Sequence, residues 1–96
     1  MAEFLIKRED GRFLELPPEV LSKLVADDCE RVDGWGTLRL RHKPTDVIIV
    51  VSDEMPGLQI WFEGPTLVPE IAQKLVAEIA DRLKQTGQDV YMVQIG

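Results

Sequence analysis

The sequence predicts an α+β domain, an antiparallel sheet in the order β-β-α-β-β-β-α-β that is backed by a long C-terminal helix and carries a short N-terminal helix. Three observations predict it. Between Leu67 and Thr86 apolar residues recur at helical spacing, with charged residues on the opposite side. Residues 37–41 and 58–63 switch to a period of two, the mark of strands with one wet face. The intervening run Asp46-Val47-Ile48-Ile49-Val50-Val51-Ser52 is β-branched and apolar on both phases, as expected of a central strand covered on both faces.

Phe4 to Lys7 and Arg12 to Leu16 flank Glu9-Asp10-Gly11, and an Asp-Gly pair supplies the positive φ of a tight turn, so an N-terminal hairpin is expected. Leu16-Pro17-Pro18-Glu19 opens the first helix, because proline is tolerated where the backbone N–H has no partner and Glu19 favours the positive end of the dipole. Val20, Leu21, Leu24 and Val25 form its buried stripe, and acidic Asp27-Asp28 should stop it. Leu38 and Leu40 alternate with Thr37, Arg39 and Arg41 in a strand that ends at His42-Lys43-Pro44 and could extend back to Val32. After the Asp46–Ser52 strand, Asp53-Glu54-Met55-Pro56-Gly57 fits a type II turn. Leu58, Ile60 and Phe62 then alternate with Gln59, Trp61 and Glu63, completing a three-stranded meander.

Gly64-Pro65 breaks that strand, and Thr66 is the expected N-cap of the second helix. Val68, Ala72, Leu75, Ile79 and Leu83 make its stripe, with Ile71 and Val76 at the margins. Glu70 with Lys74 and Glu78 with Arg82 stand four apart in the favourable order. Gly87 is its left-handed cap, and Asp89 to Ile95 is a last strand with Tyr91, Val93 and Ile95 on one face and Val90 and Met92 on the other.

At 96 residues there is room for one core and one domain, residues 1–96, which buries only about 60 to 65% of its unfolded surface and so gains from a partner. The formal net charge of -6 opposes binding to phosphate backbones, so nucleic acid is not an expected ligand, while a basic protein would be steered in. The lone cysteine, Cys29, forbids an intramolecular disulfide and fits a reducing cytoplasm. The first residues lack a basic leader before an apolar core, and no apolar run approaches the roughly 20 residues that span a bilayer, so neither signal peptide nor membrane association is expected.

Catalytic chemistry has little to work with. Cys29 and His42 are the residues of nucleophile-and-base type, but Asp27, Asp28 and Glu30 would raise the thiol pKa, the reverse of activation. One Cys and one His are too few for zinc, and Asp28, Glu30 and Asp33 before Gly34 lack the terminal bidentate Glu of a calcium loop. Asp53 and Glu54 adjoin in a turn, where carboxylates point apart into water. Gly34 and Gly36 flank Trp35 without the Lys and helix start of a phosphate loop. No catalytic set, metal or cofactor is expected.

Trp35 and Trp61 stand out. Trp61 lies in the wet phase of its strand and Trp35 is in phase with Arg39 and Arg41, which puts both indoles on the sheet face opposite the Leu38-Leu40 stripe unless the N-terminal hairpin or first helix covers it. Tryptophan and arginine dominate binding hot spots because they bury much area at little entropic cost. The expected function is therefore a non-catalytic protein–protein interaction module, of inhibitor, immunity or accessory type, whose partner-binding residues are Trp35, Arg39, Arg41, Asp53, Glu54, Trp61 and Glu63. Two other classes remain: a small enzyme or ligand carrier with a pocket between long helix and sheet, and a structural homo-oligomer such as a homodimer.

Overall fold

The computed structural model describes residues 2–54 and 57–96. Along the chain the elements are β1 (Glu3–Arg8), α1 (Pro18–Lys23), β2 (Cys29–Arg31), β3 (Leu38–His42), β4 (Val47–Glu54), β5 (Gly57–Glu63), α2 (Pro69–Gln85) and β6 (Val90–Gln94). The strands form one antiparallel sheet in the order β2-β3-β4-β5-β1-β6. An α+β fold with a six-stranded sheet and a long C-terminal helix results.

The expected N-terminal hairpin does not form. Its first strand exists as β1, but β1 is hydrogen-bonded on both flanks, by β5 and by β6, so it has no edge to offer Arg12–Leu16. The turn itself is present, with Gly11 at a φ of 77° and its N–H donating to the Arg8 carbonyl. Segment 12–16 runs instead to the buried Gln88, whose Oε1 accepts from the Glu15 N–H at 2.8 Å and whose Nε2 donates to the Glu15 carbonyl at 2.9 Å. A side-chain amide here satisfies the backbone that a ladder would have satisfied.

β2 replaces the lost strand, so the order is β-α-β-β-β-β-α-β. Residues 29–31 are a separate strand across a loop rather than an extension of β3, pairing Cys29 with His42 and Arg31 with Leu40. α1 ends at Lys23, ahead of Asp27-Asp28, because Leu24 closes the last turn with its N–H on Leu21 O and drops its own side chain into the core. No residue within α1 is fully buried; Val20, Leu21 and Val25 pack partly against the cluster that takes Leu24.

α2 is shorter at its start than predicted. Val68, not Thr66, is the N-cap, no side chain caps the helix, and Val68 is 53% exposed rather than part of the stripe. The buried face is Ala72, Leu75, Val76, Ile79, Ala80 and Leu83, which moves Val76 from the margin to the centre. Among the described residues the ion pair on this helix is Lys84 with Asp81, at 3.9 Å, instead of the two expected pairs. The C-terminus is as predicted: Gly87 takes a φ of 95°, its N–H bonds Lys84 O, and Gln88 N–H bonds Leu83 O, which together satisfy two orphan carbonyls.

Cross-strand register divides the sheet into two faces. The inner face, against α2, carries Phe4, Ile6, Leu38, Leu40, Val47, Ile49, Val51, Leu58, Ile60 and Phe62 in one apolar cluster. Leu24, following α1, lies beside Leu40, Ile49 and Leu75, so the first helix packs on the same side as the second. Neither helix covers the outer face.

The β4–β5 connection at Met55–Pro56 lies outside the described residues, and with it the expected type II turn. Gly57 is already strand, paired with Glu54.

Candidate functional site

The outer face is built from the alternate residues of each strand. Reading across in register, Glu3 on β1 opposes Trp61 on β5, Trp61 opposes Val50 on β4, and Val50 opposes Arg39 on β3. Next to this row, Val93 opposes Leu5 and Leu5 opposes Gln59, while on the other side Glu63 opposes Ile48 and Ile48 opposes Arg41. The face is thus a mosaic of apolar and charged side chains on a rigid sheet.

Trp35 reaches this face from a loop, not from a strand. Gly34 and Gly36 flank it at φ values of 143° and 113°, which let the loop between β2 and β3 fold down onto the sheet. A Cβ on Gly36 would come within 3.2 Å of the Val50 side chain, and one on Gly34 within 2.5 Å of Arg39 Nε. The loop therefore lies against Val50 and the Arg39 stem. This explains why β4 is apolar on both phases: Val50 is fully buried beneath a short local loop, where the sequence suggested a hairpin or helix.

The two indoles meet. Their ring centroids are 5.4 Å apart at an interplanar angle of 46°, with Trp61 half-buried and Trp35 66% exposed. Arg39 passes beneath, its Nη1 donating to Trp35 O at 3.4 Å and its Nη2 to Glu63 Oε1 at 2.9 Å. Arg39 Nε is buried with no hydrogen-bond partner among the described residues. Arg41 donates to Glu30 at 2.6 Å and to Asp46 at 3.0 Å, and these carboxylates hold its guanidinium above its already high ordinary pKa.

Of the expected partner-binding residues, the fold brings Trp35, Arg39, Trp61 and Glu63 into one contiguous group, with Arg41 on the adjoining row of the same face. Glu54 shares the face at the far end of β4, where its Oε1 accepts from Ser52 Oγ at 2.9 Å. Asp53, opposite Leu58, is in the inner phase and exposed beyond the end of the helix-covered region. Gln59, Leu5, Tyr91 and Val93 extend the face towards β6; alternation alone places Tyr91 and Val93 on a common face, whereas their separation from Trp61 by β1 follows from the long-range pairing.

Cys29 and His42 are cross-strand neighbours, and Asp28 joins them: Cys29 Sγ donates to Asp28 Oδ1 at 3.6 Å, and Asp28 Oδ2 lies 3.2 Å from His42 Nε2. The other imidazole nitrogen, Nδ1, is 2.8 Å from Thr45 Oγ1. A nucleophilic triad needs the histidine between thiol and carboxylate. Here the carboxylate stands between, and burial together with the Asp28 charge pushes the Cys29 thiol from 9.0 up to about 11. The space beside Cys29 under α2 holds about 10 Å³, room for one water.

A larger concavity of about 240 Å³ lies between the end of β5 and the start of α2, lined by Ala2, Phe62, Gly64, Pro65, Thr66, Leu67 and Ala72. No ionisable side chain lines it. Asp28 is committed to Cys29 and His42 and Glu30 to Arg41, so the carboxylates considered for calcium face different partners. Among the described residues no helix is long and apolar enough to cross a membrane. No family model, curated protein or solved structure matches this chain.

Proposed function

We propose that the chain is a non-catalytic protein-interaction module that holds a protein partner on the outer sheet face, with Trp35 and Trp61 as its anchors. One observation carries this reading: the touching indoles sit partly exposed on a sheet face that neither helix covers. Paired aromatics over a rigid sheet lose little conformational entropy on binding, and the Arg39–Glu63 pair at their side fixes polar registry. The net charge of -6 suits a basic partner, in the manner of an inhibitor, immunity or accessory protein working in a reducing cytoplasm with Cys29 as a free thiol.

An enzyme using Cys29 or His42 is disfavoured by the order of that network, with the carboxylate rather than the histidine in the middle, and by the burial of the thiol. For a ligand carrier, the concavity at the start of α2 falls below the roughly 300 Å³ at which small-molecule sites begin, and the larger hollow of about 360 Å³ lined by Ala26, Asp27, Asp28, Glu78 and Arg82 is shallow and open to solvent.

Capture of binding partners by immobilised wild type and Trp35→Ala, compared at low and high salt, tests the proposal. One basic protein should be retained by wild type and released by salt, and the substitution should weaken it by about 30-fold, as expected of a hot-spot anchor worth roughly 2 kcal/mol. Circular dichroism should be unchanged, since Trp35 is largely exposed. Equal retention by both proteins would count against the tryptophan surface.

A further inference from the structure

We propose that β6 is the seam of a homodimer, in which two copies pair antiparallel about a two-fold axis at Met92 and join their sheets into one. β6 ends the sheet beyond β1, and its opposite flank is unpaired among the described residues. Glu9 N–H donates to Asp89 O and Ile95 N–H to Glu3 O, which fixes the alternation of the β1–β6 ladder. Lys7 with Tyr91 and Leu5 with Val93 are therefore the hydrogen-bonded pairs, and the backbone groups of Val90, Met92 and Gln94 face the open edge.

The two edges of the sheet differ in how they are protected. β2 is three residues long and includes Glu30 and Arg31. β6 is five residues, Val-Tyr-Met-Val-Gln, with no charge, proline or glycine, so it has none of the devices that keep edges from pairing. Tyr91 and Val93 are each 41% exposed on the outer face.

A second copy is the occupant because the strand is complementary to itself in the register its open groups dictate. Centred on Met92, the pairing sets Val90 against the copy's Gln94, Met92 against Met92, and Gln94 against Val90, using all three outward-facing residues for about six backbone hydrogen bonds. Tyr91 then opposes Val93 twice as non-hydrogen-bonded pairs, where side chains approach most closely and an aromatic against a β-branched residue is favourable. The seam carries no charge, but each copy brings -6, so screening by salt strengthens this association. A basic partner on the tryptophan face would show the opposite salt dependence. The dimer would leave both tryptophan surfaces open on one extended face, and it stands whether or not they bind a partner.

Sedimentation equilibrium from low to high micromolar protein, at low and high salt, tests the seam. Wild type should approach twice 10.9 kDa, more readily at high salt. Met92→Pro deletes an outward N–H and leaves the β1 ladder intact, so it should stay monomeric with unchanged circular dichroism. The double variant Tyr91→Glu with Val93→Glu, on exposed side chains, should do the same should the proline variant fold poorly. Wild type that remains at 10.9 kDa throughout, β6 variants that dimerise like wild type, or a dimer lost in Trp35→Ala instead, would overturn the proposal.

Discussion

Gly57→Ala is expected to destabilise the protein by about 3 kcal/mol, the upper range for overpacking a well-packed interior. A Cβ on Gly57 would overlap the Ile6 carbonyl oxygen and stand 3.0 Å from Lys7 Cγ. The lysine stem can swing aside, but the carbonyl belongs to β1. That strand is held by β5 on one side and β6 on the other, so it cannot retreat without breaking one ladder. For a chain of this size, stabilised by about 5 to 10 kcal/mol, the loss should lower the thermal midpoint by roughly 12 to 24 °C. Gly87→Ala, at a helix cap where a Cβ meets nothing within 4 Å, should be milder, since only its positive φ is penalised. Thermal denaturation of the two variants beside wild type checks the ranking.

Cys29 is expected to react with disulfide reagents at pH 8 roughly 100-fold more slowly in the folded protein than in urea, because a thiol raised by about two units presents that much less thiolate. Burial is the larger cause and the Asp28 charge the next. The same shift makes stability depend on pH with a definite sign. The fold favours the neutral thiol, so its contribution is complete below the unfolded value near 9.0 and is lost as pH rises from there through about 11. Asp28→Asn should narrow the gap in reactivity by removing the charge while keeping an acceptor near Sγ. Equal rates in folded and unfolded protein would contradict the burial of the thiol.

How much of this was legible in the sequence depended on the range of the interaction concerned. β3, β4, β5 and α2 were readable because period two and period 3.6 are local and each pattern was long enough to be unambiguous. The hairpin failed because Asp10-Gly11 makes a turn without deciding what the chain does after it. Whether Arg12–Leu16 pairs with β1 was settled by β5 and β6, which lie more than 50 and 80 residues away in register. β2 was too short to show a period, and Val68 was misread because the helix begins one residue after it.

The tryptophan pair was legible for a partly different reason from the one the alternation suggested. Trp61 faces outward by strand phase, but Trp35 arrives through a loop that Gly34 and Gly36 bend onto Val50. That both indoles share a face was readable; that they touch was not. The Asp28 bridge between Cys29 and His42 depends on the β2–β3 register and left only the acidic neighbourhood of Cys29 as a signal.

The claim that the outer face is an open surface anchored by tryptophan is tested most directly by the fluorescence of Trp61→Phe, in which Trp35 is the remaining indole. In dilute monomeric protein the account predicts red-shifted emission that acrylamide quenches nearly as well as it quenches free tryptophan, in keeping with an indole 66% exposed. Blue-shifted emission protected from acrylamide in the same sample would mean that the face is covered, and would contradict the account.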